Sequence, residues 1–240
     1  VESALAQLRR EWSALESLLA APVLGLAVPD CPQWNVGELV LHLGRIHHFF
    51  AEMVRSGRDR PFPLSEIAAP SENDVITWAQ KGRDNFVAEV LAHGSTAFAW
   101  SWTQDKTVAW VQRRLLHETL VHRWDLENAV GNKMPTDAAV ASDCIDEFLV
   151  SFVVGRKSDN HLPAGSVHLH CTDTEGEWLL KFSDQGIELT REHAKGDVAI
   201  RGKAEDLARL LWRRMHLNAG AFEVFGNVEV ADSFLAYPRL

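Results

Sequence analysis

A carboxylate and an imidazole four residues apart, set in an otherwise apolar stretch, constrain this chain more than any other feature. Residues 115–125 read Leu-Leu-His-Glu-Thr-Leu-Val-His-Arg-Trp-Asp. On a helix, positions four apart lie one above the other, so Glu118 and His122 project together, and Val111, Leu115 and Ala129 extend the same stripe. That stripe is apolar enough to be the buried face. A charged carboxylate on a buried face is costly unless something positive neutralises it, and a bound metal ion is one such partner.

The run is not the HExxH signature of zinc proteases, whose two histidines four apart bind the metal together. Here the histidines are five apart, which turns them about 140° from each other at ~100° per residue. The usable pair is Glu118 with His122, and His117 points elsewhere. The plainer reading is a solvated pair contributing a few tenths of a kcal/mol to the helix.

A metal needs at least one further ligand from a facing helix, and the periodicity of the chain supplies such helices. Residues 2–20 place Leu5, Leu8, Trp12, Leu15, Leu18 and Leu19 on one face, and Ala21-Pro22 ends that helix. Asn35 followed by Glu38 predicts a capping box that opens a second helix, which runs to about Arg55 before Ser56-Gly57. A third helix is expected from about Ser71 to Ala92, after a Pro-rich loop. A fourth is capped by Thr107, carries Glu118 and His122, and ends at Gly131. Residues 98–102 read as a connecting loop. Four such helices make a bundle, whose interior is where side chains from different helices converge on a ligand. The second helix offers His42 and His47, and periodicity alone does not choose between them.

The pattern changes across Gly131-Asn132-Lys133-Met134-Pro135, predicting a metal-binding bundle over 1–133 and a second domain over 134–240. In the second, a helix over about 137–153 precedes short strands at 166–171, 178–182, 187–190 and 198–201. Helices over 204–215 and 228–235 follow, which describes a small α+β domain with an antiparallel sheet. His168 and His170 alternate on one strand face. They are a candidate metal pair, although a solvent-facing sheet surface is the commoner origin of such a pattern.

Composition narrows the partners. A formal charge of −9 over 240 residues argues against general nucleic-acid or anionic-membrane binding. No apolar run approaches the ~18 residues of a membrane span. Three widely spaced cysteines, Cys31, Cys144 and Cys171, form no CxxC pair and no disulfide framework, as expected in a reducing cytoplasm. Cys31 has no evident basic partner and reads as structural. Nine Trp against one Tyr read as core and pocket lining.

Two segments carry a family resemblance. Trp34-Asn35-Val36-Gly37-Glu38-Leu39-Val40-Leu41-His42-Leu43, with Arg114 through Asp125, resembles the mycothiol-dependent maleylpyruvate isomerase family of actinobacteria, within the wider DinB-like metal-binding bundles. The resemblance implies a metal triad made of a His eight residues after a helix-opening Trp and a Glu and His four apart on the fourth helix. Those positions are His42, Glu118 and His122, so it selects His42 over His47. It also implies a C-terminal domain related to sterol carrier proteins, matched through Glu177-Trp178 and the Gly202 to Gly226 stretch. An Arg ending the penultimate helix would face the active site. Arg214 is the best match, with Arg213 adjacent.

The implied function is a metal-dependent enzyme using a low-molecular-weight thiol, mycothiol by resemblance, as an isomerase or thiol transferase on a small electrophilic, acidic substrate. The active cleft is expected between the domains. Two His and one Glu leave a coordination position open, the mark of a reactive site. Zn²⁺ is the default ion, and the ligand set also admits Ni²⁺, Mn²⁺ or Fe²⁺. Arg214 would pair with an acidic group. Asp125, three residues after His122, would orient a ligand imidazole or else form an ordinary surface ion pair. A cytoplasmic protein, monomeric or weakly dimeric, is expected. The rival is a non-catalytic metal or small-ligand binding protein, and a vestigial site on a scaffold is a third reading.

Overall fold

The computed structural model describes residues 3–19, 22–155 and 162–238. Glu2, Ala20 and Ala21, which the sequence assigns to the first helix and its terminator, lie outside the described residues. The chain divides into two compact units between Met134 and Pro135.

The first unit holds four helices: α1 (Ala4–Leu18), α2 (Val36–Ser56), α3 (Val75–His93) and α4 (Val108–Val130). Helices α1, α2 and α4 start where a side chain satisfies free backbone N–H groups, whereas α3 follows directly on a 3₁₀ turn. The Asn35 side chain accepts from the Glu38 N–H at 2.9 Å, and the Glu38 carboxylate accepts from the Asn35 N–H at 2.8 Å, a complete capping box. Thr107 Oγ1 accepts from the Trp110 N–H at 3.2 Å. Gly57 and Gly131 close α2 and α4 with φ of 60° and 71°, a left-handed conformation that costs glycine nothing. The third helix begins later than the sequence suggests: residues Glu72–Asp74 form a separate 3₁₀ turn ahead of Val75.

Helix α2 packs mainly on α3, α1 packs on α4, and α2 also meets α4. Leu8, Trp12, Leu15, Leu39, Leu43, Phe86, Leu115 and Trp124 are almost wholly buried between them. The close approach of α2 to α3 needs a glycine at 44, because a Cβ there would lie 2.5 Å from the Trp78 ring. An ion triad also sits in this core. Arg123 is 1% exposed, and its guanidinium donates to Glu11 at 2.7 Å and to Glu127.

In the second unit, α5 (Ala138–Phe148) continues into a π-helical segment, Leu149–Val154. Five strands follow, β1 (Gly165–Cys171), β2 (Glu177–Ser183), β3 (Gly186–Thr190), β4 (Val198–Gly202) and β5 (Glu223–Gly226), with α6 (Ala204–Leu211) and α7 (Val228–Ala236). Their order is β3-β2-β1-β4-β5.

This is a helical domain followed by an α+β domain, but the sheet is mixed rather than antiparallel. Strand β4 pairs with β1 in parallel, Val167 opposite Val198 through Cys171 opposite Gly202. The reason is topological. The hairpins β1-β2 and β2-β3 build outward from one edge of β1, so the chain crosses back to reach the other edge and arrives pointing the same way. Strand β5 is too short for its alternation to register in the sequence. Helix α6 is also shorter than expected, because Arg213 adopts a left-handed φ of 63°. The Arg213 N–H then bonds to Leu210 O at 3.1 Å and the Arg214 N–H to Arg209 O at 2.7 Å, the paired bonds of a Schellman helix end.

Candidate metal centre

Three side chains from two helices converge in the bundle. His42 projects from the second turn of α2, while Glu118 and His122 project one turn apart from the middle of α4. Glu118 Oε1 lies 2.9 Å from His42 Nε2 and 3.3 Å from His122 Nε2, and the three potential ligand atoms lie within 4.8 Å of one another. The other Glu118 oxygen, Oε2, is held by the Arg114 guanidinium one turn earlier on α4. Arg114 thus leaves Oε1 as the oxygen that faces both imidazoles. The i to i+4 spacing of Arg114 and Glu118 is legible in the sequence, but which Glu118 oxygen Arg114 holds depends on the fold.

Asp125 acts from behind His122. Its side chain is fully buried, and Oδ2 accepts a hydrogen bond from His122 Nδ1 at 2.8 Å. This burial overturns the surface ion-pair reading of Asp125. With Nδ1 donating to Asp125, Nε2 is the nitrogen turned toward Glu118 and the one left to bind a metal once its own proton is displaced. Cys31 Sγ donates to the same Asp125 oxygen at 3.7 Å. Trp34 packs on both imidazoles, with ring centroids 4.9 Å from His42 and 5.8 Å from His122.

The charges are tightly balanced. Burial alone would push the Glu118 carboxyl up, but the Arg114 guanidinium and the hydrogen bonds from His122 and His42 outweigh it and hold it well below the usual carboxylate range. Burial likewise lowers His122, yet the hydrogen bonds to Asp125 and Glu118 prevail and raise it to about 9. A coordinating ion would have to displace that proton. The donor set fits a divalent ion: two imidazole nitrogens and one carboxylate oxygen, converging, with an acidic partner already orienting one imidazole. Side-chain exposures of 27% for His42 and 17% for Glu118, against 9% for His122, leave one side of the group open to solvent.

His47 stands apart from this group. It is fully buried beside Trp12 and Phe86, with Nδ1 donating to Leu43 O at 2.7 Å and Nε2 without a hydrogen-bond partner. Burial depresses it to about 4. The folded state therefore binds fewer protons than the unfolded chain between pH ~6.5 and ~4, and His47 makes stability fall by up to about 3 kcal/mol as pH drops through that window. His47→Leu is expected to flatten this part of the curve relative to the unsubstituted protein, measured by urea denaturation at pH 7, 5.5 and 4.5. An unchanged slope would assign the acid sensitivity to other groups.

Arg213 and Arg214 do not sit on α6, which ends at Leu211. The left-handed turn at Arg213 sends both beyond the helix, so their helical register does not describe them. Arg213 Nη2 donates to Pro238 O at 2.6 Å, and Arg214 Nη1 donates to Trp212 O at 2.7 Å.

Comparison with known proteins bears on this geometry. Residues 5–127 match the model of the mycothiol maleylpyruvate isomerase N-terminal domain, and residues 139–233 match that of its C-terminal domain. The chain belongs to this family. The crystal structure of the mycothiol-dependent maleylpyruvate isomerase shares the fold, with a TM-score of 0.52 at 11% identity over 92% of this chain and 91% of that one. A ubiquinone synthesis protein, UbiJ-SCP2, aligns to 41% of this chain and 92% of its own at 18% identity and a TM-score of 0.33. No curated protein matches the chain. Within the family assignment, the helical domain carries the His42, Glu118 and His122 group, and no described helix is long and apolar enough to cross a membrane.

Proposed function

We propose that this protein is a metal-dependent enzyme in which His42, Glu118 and His122 hold a divalent ion, Zn²⁺ by default, and a low-molecular-weight thiol is the cosubstrate. The observation that carries the reading is the convergence of one Glu118 oxygen on two imidazoles, in a group buried behind and open in front. When bound, the ion supplies Lewis acidity that lowers the pKa of a coordinated thiol or water toward neutrality. The residues around it do the rest. Arg114 fixes the Glu118 carboxylate, Asp125 fixes the His122 tautomer, and Trp34 walls the two imidazoles.

Mycothiol is the thiol suggested by the family and by the name of the isomerase that shares the fold. The reaction class is isomerisation of, or thiol transfer to, a small acidic electrophile, with Arg214 as the cation for its carboxylate. Guanidinium pairs with a carboxylate through two parallel hydrogen bonds, which orients as well as attracts.

The test is turnover by the zinc-loaded protein across a panel of thiols and unsaturated or epoxide-bearing acids. Thiol-dependent turnover that requires metal supports the reading. Tight metal binding with no turnover for any pair would leave a non-catalytic binding protein. Arg214→Ala is expected to keep its metal and lose about 10- to 100-fold in kcat/KM, the worth of a charge-assisted hydrogen bond. Loss in Arg213→Ala instead would move the role to its neighbour. Full activity in both would remove the C-terminal cation from the mechanism.

A further inference from the structure

A second group of metal-ligating side chains lies in the C-terminal unit, and neither the family assignment nor the proposed activity uses it. His168 and His170 are two apart on β1 and share one face of the sheet, while Val167 and Leu169 point into the core. Glu177 of β2 stands directly opposite His170 in the antiparallel register. His193, in the segment after β3, completes the group, and the four potential ligand atoms lie within 4.8 Å of one another. Contraction to the ~3.3 Å ligand spacing of a tetrahedral ion with bonds near ~2.0–2.1 Å needs only side-chain adjustment.

The face is only partly the solvated surface that the strand pattern suggests, with His170 and Glu177 half-buried. His168 is 5% exposed and His193 caps the group from outside at 81% side-chain exposure. The plainer account, three imidazoles solvating one carboxylate, leaves two of them in ion pairs without hydrogen-bond geometry. His193 Nδ1 bonds Glu177 Oε2 at 2.9 Å. His170 Nδ1 approaches Oε1 at 2.5 Å without hydrogen-bond geometry, and His168 Nε2 stops 3.6 Å from Oε2. Both nitrogens are buried and have no hydrogen-bond partner. Two solvent-shielded imidazole nitrogens are thus aimed at one carboxylate without hydrogen-bond geometry. A cation among them would take one ligand atom from each residue and give both nitrogens a partner.

We propose that His168, His170, Glu177 and His193 form a second divalent transition-metal site, of the kind that takes Zn²⁺, which pins the loop around His193 to β1 and β2. Three imidazoles and a carboxylate fill a tetrahedral shell, so this site is closed and structural, in contrast to the open three-ligand group in the bundle. Its ligands come from two strands and a loop whose ends are already tied, Arg191 to Asp146 and Asp197 to Ser166, so the ion would hold the stretch between them.

The test uses the full chain without a histidine tag, loaded with Zn²⁺, desalted, and assayed for zinc per chain. In a His42→Ala/His122→Ala background one equivalent is expected to remain, and adding His193→Ala or Glu177→Gln should remove it. Because His193 is exposed, its substitution leaves the core intact. The same change in the otherwise unsubstituted chain should lower its zinc by one equivalent. Zinc should also slow tryptic cleavage after Lys195 in the unsubstituted chain and not in His193→Ala. No zinc retained in the double-substituted background, with native circular dichroism, would overturn the proposal. So would zinc content indifferent to both His193→Ala and Glu177→Gln. Neither result bears on the bundle site, whose imidazoles are already absent in that background.

Discussion

His122→Ala is expected to release the bundle metal and abolish thiol-dependent turnover. One imidazole of a three-ligand set is then gone, and the remaining His42 and Glu118 sit on different helices with nothing to hold an ion between them. Asp125→Asn provides the graded comparison. It keeps all three ligands and the shape of the buried site but weakens the acceptor that orients His122 at 2.8 Å. Metal affinity in Asp125→Asn should fall by about 10- to 100-fold, the usual cost of losing a partner behind a ligand. His122→Ala should lose more, below the reach of a competing chelator assay. Circular dichroism should stay helical in both, since a core of this size does not depend on one ion. Wild-type metal content in His122→Ala would remove α4 from the site, and unchanged affinity in Asp125→Asn would reduce Asp125 to a packing role.

The largest effect on stability should come from Arg123→Ala. Arg123 lies in the core at 1% exposure, bonded to Glu11 from α1 and to Glu127 one turn along α4. Glu127 is itself 1% exposed. Removing the guanidinium takes away the cation that bridges two buried carboxylates. Breaking a buried pair in this way costs about 3–5 kcal/mol, against the ~5–15 kcal/mol by which domains are stable. Urea denaturation should show the midpoint falling steeply while the slope holds. Arg123→Lys should recover little, because a single ammonium cannot present the planar fork that reaches both partners. Replacing the whole triad, Glu11→Gln/Arg123→Met/Glu127→Gln, should recover most of the loss, since the penalty lies in the uncompensated charges. A loss under about 1 kcal/mol in Arg123→Ala would show that water reaches the carboxylates.

Much of the molecule follows from local rules that a sequence carries openly. The capping box at Asn35 and Glu38, the Thr107 cap and the glycines at 57 and 131 bound α2 and α4 because cap chemistry acts over three or four residues. Glu118 and His122 share a face for the same reason, as helical spacing is fixed by backbone geometry. What the sequence left open needed a second segment. Whether His42 or His47 joins the pair depends on which face of α2 meets α4, and the two faces are equally apolar. Folding decides it: His47 is buried against Trp12 and Phe86, while His42 faces Glu118. The parallel pairing of β4 with β1 and the strand β5 were likewise beyond local reading, because strand order is set by crossovers rather than by alternation. Arg213 and Arg214 read as helical until the left-handed turn at Arg213 showed where α6 stops. The second histidine group is the sharpest case. His168 and His170 are visible as an alternating pair, but Glu177 and His193 join them only through strand register and the path of a loop, contacts that sequence separation hides.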